Sequence, residues 1–338
     1  MKRETTEQGE DERARTTKTD SQADSQGDSG SIPEIARGPS IPAKGYLVNE
    51  IRGGLYYVTD GTFQMLFLDT NDGVIVIDAP PTIGRDITKA IAEVTDDPIT
   101  HVIYSHSHAD HIGAASLYPE TAEYVANERT AELLSRVDDP TRPAPTTTFE
   151  KNHTVAVGEH VLELAHKGTN HSSDNTFVFA PVQETLMFVD VVYPGWVPFH
   201  RLGYVTDIFG FIEAHDQILE YEFETFVGGH LTRLGTREDV KTQREYINDL
   251  KDASKNAIEM VELDPIAKRV GTDNSYTFFL AFEKSLVETA ADTVREKWTG
   301  RLGGVDSFVE SHCSVMIASL RVEYGILGPF GLKGNWKE

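Results

Sequence analysis

The sequence predicts an α/β protein that continues into a helical extension, and three observations carry that prediction. Short runs rich in Val, Ile, Phe and Tyr alternate with helical stretches as far as about residue 235. One run, Val74-Ile75-Val76-Ile77, is unbroken apolar between Asn71-Asp72-Gly73 and Pro80-Pro81, the pattern of a strand covered on both faces. Beyond His230 the apolar residues recur at helical spacing instead.

Residues 1–40 hold almost no large apolar side chain, so they cannot offset the entropy of ordering and are expected to be a disordered tail. Strands are expected over 55–59, 63–69 and 74–78, then a helix over 82–94 with Ile83, Ile87, Ile91 and Val94 on one stripe. A strand at 102–104 runs straight into a polar, His-rich stretch. A helix at 128–137 and a Pro-rich loop follow, then strands at 154–157, 161–166, 177–180 and 186–189. A long aromatic loop leads to a helix from about Asp207 and a strand ending at Gly228-Gly229-His230.

Thr236, with Asp239 three residues on, resembles a capping box that opens a helix to about residue 263. A second helix steps through Phe278, Phe282, Leu286, Ala290, Val294 and Trp298, and a third, over 305–324, aligns Phe308, His312, Met316 and Leu320. The expected organisation is therefore a tail (1–40), an α/β domain (41–235) and a helical extension (236–338). The stripe of Phe278, Phe279, Phe282 and Trp298 exceeds what a peripheral helix needs, which predicts a homodimer through these helices. A lid over a pocket or a cover for a sheet edge are the alternatives.

The 338-residue chain carries 54 Asp+Glu against 31 Lys+Arg, a net charge of −23, and only −3 of that falls on residues 1–40. Such a body repels phosphate backbones and anionic lipids, so no nucleic-acid or membrane partner is expected. A single cysteine, Cys313, excludes an internal disulfide framework and a Cys-rich zinc finger. No apolar run approaches the ~18 residues of a membrane helix. The basic N-terminus lacks the apolar stretch of a secretory signal, so a cytoplasmic, acidic protein acting on a small molecule is expected.

The chemistry is concentrated in Ser105-His106-Ser107-His108-Ala109-Asp110-His111, at the end of a buried strand, where α/β sites are usually built. In extended backbone alternate residues face one way, so His106 and His108 can address one ion, and the following turn can present Asp110 and His111 to a neighbouring point. Imidazole and carboxylate donors suit zinc, and also iron or manganese. Three later residues gain meaning beside this cluster: His171 in a polar loop, Asp190 after the strand Leu186-Met187-Phe188-Val189, and His230 after two glycines that allow close backbone approach.

This ordered set (a strand ending in Asp78, then HxHxDH over 106–111, then His171, Asp190 and His230) resembles the metallo-β-lactamase superfamily over about residues 45–235. The resemblance implies an αββα sandwich with the metals at one edge. It implies that His106, His108 and His171 hold one ion and that Asp110, His111 and His230 hold a second. Asp190 would bridge the two, and Asp78 would orient the metal loop. Two zinc ions per chain would activate a bridging hydroxide to cleave a small ester, lactone, thioester or amide, with Asp110 steering the nucleophile.

Within the superfamily, Ser172-Ser173-Asp174-Asn175-Thr176 after His171 is similar to the zinc β-lactamases, although Asp190 stands where those carry Cys, and Tyr193 where they place a substrate-binding Lys. β-Lactam cleavage is therefore a less favoured member of the list. A Tyr at that step resembles the acyl-homoserine lactonases, where it contacts the substrate carbonyl. Trp196, Phe199 and Arg201 are candidate pocket residues, the first two for an apolar group and Arg201 for a carboxylate; Leu55 to Phe63 is a second candidate wall. The alternatives are an iron persulfide-dioxygenase-like enzyme, which shares HxHxDH, and a non-catalytic metal-binding scaffold. The charge argues against the nuclease branch.

Overall fold

The computed structural model describes residues 32–331, so residues 1–31 of the expected tail lie outside the described residues. Residues 32–40, assigned to the same tail, are instead tied to the body. Ala36 is buried, and its carbonyl accepts a hydrogen bond from Trp196 Nε1 at 3.1 Å. The contact is possible because Gly195 has no Cβ: one built there would lie 2.4 Å from the Ile35 carbonyl oxygen.

The first sheet runs β1 (Leu47–Arg52), β2 (Leu55–Thr59), β3 (Gln64–Asp69), β4 (Val74–Ile77), β5 (Ile99–Ile103), β6 (Glu123–Asn127), β7 (Thr147–Phe149) in spatial as in chain order. Its pairs are antiparallel to β4 and parallel from β4 to β7. The second sheet holds β8 (Asn152–Val157), β9 (His160–Ala165), β10 (Phe177–Ala180), β11 (Thr185–Met187) and β12 (Thr225–Val227), ordered β12-β11-β10-β9-β8. Only the β11–β12 pair in it is parallel. The helices are α1 (Asp86–Ala92), α2 (Ala109–Ile112), α3 (Glu128–Leu134), α4 (His200–Tyr204), α5 (Ile208–Leu219), α6 (Arg237–Met260), α7 (Leu263–Val270), α8 (Ser275–Trp298) and α9 (Val305–Val322).

Strand alternation explains the layering. Ile75 and Ile77 of β4 face the second sheet, where they join Leu164, Val178 and Met187. Val74 and Val76 face the other way, onto Ile83, Ile87 and Ile91 at α1. The outer face of the second sheet, with Phe177, Leu186 and Phe226, is covered by Phe211 of α5 and Ile247 and Leu250 of α6. The result is the αββα sandwich, with α8 and α9 stacked on α6 as a further helical row.

The capping box is present: Thr236 Oγ1 and the Asp239 backbone N–H pair, and Asp239 Oδ2 accepts from Thr236 N at 2.8 Å. Phe282, Leu286, Ala290, Val294 and Trp298 are fully buried within the chain. Of the stripe expected to dimerise, Phe282 and Trp298 pack α8 on α6 and α9, Phe278 is half-buried and Phe279 is 40% exposed. Among the described residues, no helix is long and apolar enough to cross a membrane.

The aromatic loop contains a feature with no sequence expectation. Arg201, Leu202 and Gly203 have φ of 55°, 56° and 71°, and Tyr204 has φ of 60°, so α4 is a left-handed turn. Left-handed backbone costs an L-residue roughly 1–2 kcal/mol, so the turn must be held from outside. Leu202 is fully buried, Arg201 N donates to Ser311 Oγ at 2.9 Å, and Phe199 O accepts from Gly203 N at 3.1 Å. The same carbonyl lies 2.9 Å from His312 Nε2, whose Nδ1 sits 2.7 Å from the Tyr246 hydroxyl. That pairing makes Nε2 the protonated nitrogen, donating to Phe199.

Candidate metal centre

The ends of β4, β5 and β11 and the segment after β12 converge on one edge of the sandwich. Asp78, just past β4, has φ of 68°, and its Oδ1 accepts from Ser105 N at 2.8 Å. Asp174 does the same for the next turn of this loop: its Oδ2 accepts from Ser107 N at 2.7 Å and from Thr130 Oγ1 at 3.0 Å. Held at both points, the segment after β5 presents His106 and His108 from extended backbone, and the single turn α2 presents Asp110 and His111.

The structure brings the seven expected donors together in two groups. His106, His108, His171 and Asp190 form one, and Asp110, His111 and His230 the other, with donor atoms inside each group within 4.8 Å of one another. Asp190 lies between them. Its Oδ2 is 3.1 Å from His111 Nε2, 3.2 Å from His171 Nε2 and 3.5 Å from His106 Nε2, while its Oδ1 is 2.6 Å from His230 Nε2. His171 Nε2 is also 3.2 Å from His108 Nδ1.

The outer nitrogens fit the same assignment. His106 Nδ1 lies 3.0 Å from Ser105 Oγ, His230 Nδ1 3.3 Å from Thr62 O and His111 Nδ1 3.7 Å from Asp78 Oδ2, so each Nε2 turns inward. His106 Nε2 and His111 Nε2 are buried without a hydrogen-bond partner. Buried orphan nitrogens around one carboxylate are costly unless a cation completes them, so the residues fit a divalent metal.

Electrostatics point the same way for His106 and His171, whereas at His111 burial is outweighed by the Asp190 and Asp78 carboxylates, which raise it well above the usual imidazole range. Burial, then the neighbouring His108 and His111, push His106 well below the usual imidazole range, and burial brings His171 down to about 4. Both are therefore neutral, as ligands must be. Burial pushes Asp190 up, but His111, His171 and His230 together hold it well below the usual carboxylate range. Gly229 makes the approach of His230 possible: with φ of 87°, a Cβ there would stand 2.8 Å from Val189 Cγ1 and 3.0 Å from His111 Cε1. Phe63 closes the far side, its ring 4.7 Å from His230 and edge-on to His111 at 5.5 Å. Leu55 and Tyr57, from the same expected wall, lie between the sheets instead.

A cavity of about 290 Å³ opens onto these donors, lined on its other sides by Tyr193, Phe199, Gly203 and Tyr204. Tyr193 is buried, and its hydroxyl donates to Asp190 Oδ1 at 3.3 Å. Burial first, then the Asp190 charge, push that phenol well above its usual range, so it stays protonated. Two expected pocket residues lie elsewhere. Trp196 packs on Gly303 and bonds to Ala36, because the chain turns at Gly195. Arg201 faces a separate cavity with Val205 and Ser314, because the left-handed turn reverses its direction.

Four contributors carry no explicit sequence expectation. Asp174 stood within the quoted polar loop, where a carboxylate three residues after His171 was the available signal. Gln243 of α6 is buried, bonding Tyr193 N at 2.9 Å and the Val191 carbonyl. His312 and Tyr204 act through backbone geometry, which leaves no motif.

Comparison with known proteins agrees with this edge. A model of the metallo-beta-lactamase superfamily matches residues 61–270, beyond the expected limit near 235 and through α6. Among curated proteins, the 2,4-dinitroanisole O-demethylase subunit alpha of Nocardioides sp. (strain JS1661) is 30% identical over 217 residues, 62% of this chain and 63% of that protein. The linear primary-alkylsulfatase of Pseudomonas sp is 30% identical over 103 residues, 27% of this chain and 15% of that one. The chain thus spans less than two thirds of either relative. In fold, a metallo-beta-lactamase from Pontibacter korlensis aligns with a TM-score of 0.52 at 21% identity, over 60% of this chain and 99% of its own. Metallo-beta-lactamase IND-7 aligns with 0.52 at 18%, over 61% and 100%. Family model, sandwich and donor order converge: the chain belongs to the metallo-beta-lactamase superfamily.

Proposed function

We propose that the chain is a metal-dependent hydrolase that cleaves a small ester, lactone, thioester, amide or aryl ether. The observation that carries the reading is the position of Asp190 between the two groups, with Oδ2 within 3.5 Å of His106, His171 and His111 and Oδ1 2.6 Å from His230. His106, His108 and His171 would hold one ion and Asp110, His111 and His230 the other. Zinc is the metal proposed, and iron or manganese suits the same donors. Two such ions supply a water acidified from a pKa of ~16 towards 7 and an electrophilic contact for the oxygen under attack.

The chain's own side chains do the rest. Asp110, exposed at the cavity mouth, orients the attacking water and takes up its proton. Tyr193 keeps its proton and presents a donor to the oxygen that gains charge. Phe199 and Tyr204 screen the cavity from bulk water. The aryl ether enters the list because a relative is named an O-demethylase. That relative is one subunit of its enzyme, so a second protein chain is a proposed partner here as well. The net charge supports a small-molecule substrate over nucleic acid, and a cytoplasmic setting remains part of the proposal.

Metal analysis of the purified chain, followed by a panel of aryl esters, lactones, thioesters, β-lactams and aryl methyl ethers, tests the reading. Turnover of at least one class that is lost on chelation supports it. One iron per chain with oxygen uptake would replace it with an oxygenase.

A further inference from the structure

The cavity beside the donors has an unusual lining for a site to which two acids and three imidazoles contribute. Its remaining walls are Tyr193, Phe199, Gly203 and Tyr204, and neither Lys nor Arg is among its lining residues. Arg201, the nearest cation in sequence, is turned into a different cavity by the left-handed backbone. The same turn carries Tyr204 to the mouth of the site, two-thirds exposed and with no hydrogen bond from its hydroxyl to other described residues. The ring touches His200 edge-on at 5.8 Å, but packing that leaves it two-thirds exposed does not offset so costly a backbone.

The support comes from far along the chain. Ser311 and His312 of α9 grip the backbone at Arg201 and Phe199, and Leu202 is buried among the helices. Gly203 has Tyr193 Oη 2.7 Å from where a Cβ would lie, so the turn and the phenol are fitted to each other. The helical extension therefore sets the shape of the cavity without contributing a donor to it.

We infer that the left-handed turn is the specificity element of this site, and that with Tyr204 at the mouth and Arg201 withdrawn it selects substrates uncharged away from the reacting group. This rests on the hydrolase reading for its reaction but not for its binding preference. At about 290 Å³ the cavity admits a single ring or a short acyl chain. A remote anionic group on such a molecule would meet neither Lys nor Arg among the lining residues and would give up hydration to the Phe199 and Tyr204 rings without compensation.

The test uses the full metal-loaded chain and two matched pairs: phenyl acetate with 4-sulfophenyl acetate for turnover, and acetanilide with 4-sulfoacetanilide for calorimetric binding. Both kcat/KM and affinity are expected to favour the uncharged member by about tenfold or more. Tyr204→Lys should narrow that preference severalfold by restoring a cation, and Tyr204→Ala should raise KM for phenyl acetate more than it lowers kcat. Equal or better handling of the sulfonated members, or a preference untouched by Tyr204→Lys, would overturn the inference. If neither ester turns over, the two anilides decide the binding preference alone, by the same criteria, and the hydrolase reading fails only if the whole substrate panel is inert as well.

Discussion

Asp190 and His230 are 40 residues apart in sequence, yet Asp190 Oδ1 lies 2.6 Å from His230 Nε2. Each follows a strand of the parallel pair β11–β12, so the register that sets Met187 beside Val227 delivers both side chains to the same edge. Truncating one partner leaves the pairing of those strands intact. His230→Ala is therefore expected to cost at least ~100-fold in turnover and to weaken metal binding while circular dichroism stays unchanged. Unaltered metal content in that variant would count against His230 as a donor.

Gly229→Ala probes the approach rather than the donor. The new methyl would be forced against Val189 Cγ1 and His111 Cε1, on backbone with φ of 87°. A loss of about 1–3 kcal/mol in unfolding free energy is expected, together with weaker metal retention. Denaturant titration of the metal-free and metal-loaded forms checks both effects, and equal stability with wild type would refute the crowding.

Gln243→Ala removes the clamp that α6 places on the segment after Asp190. It strands the buried Tyr193 N–H and the Val191 carbonyl, which should cost roughly 1–3 kcal/mol. Because Tyr193 shifts with its backbone, kcat should fall more than metal affinity does. Parallel metal titration and steady-state kinetics separate these, and a loss confined to metal affinity would contradict the clamp.

Acid should destabilise the helical layer through its buried histidines. Burial first holds both His215 and His312 at about 4, against an ordinary value of 6.5. The unfolded chain then binds more protons between those values, so stability is complete above 6.5 and is lost as pH falls towards 4. Each residue contributes at most about 3 kcal/mol to that slope. Urea midpoints measured with chelator present, for wild type and His312→Phe, should converge as pH drops from 7 to 4. Parallel curves would show that His312 does not titrate in this window.

The donors were legible in sequence because the chemistry-bearing residue types stand together and the strands that carry them are strongly apolar. Strands such as β2 and β10 were readable to the residue for the same reason. β1, β6 and β7 were not: Leu47–Arg52 is an edge strand with no buried residue, Glu123–Asn127 mixes polar ends with its apolar middle, and Thr147–Phe149 has too few residues for a period to show. The helix expected to run to about 263 ends at Met260, and α7 restarts at Leu263 with Pro265 inside its first turn. Proline is tolerated there because those N–H groups have no partner to lose. The cavity walls were hidden for another reason. Tyr204 and Arg201 take their directions from left-handed backbone that α9, over a hundred residues later, holds in place.

The central claim is that one edge of the sandwich holds two divalent ions around Asp190. Quantifying metal per chain in the full-length protein, for wild type and Asp190→Ala, addresses it most directly. Two ions per chain are expected in wild type, and at most one, weakly held, in a folded Asp190→Ala variant. Wild type that takes up no ion, or a variant that keeps both, would contradict it.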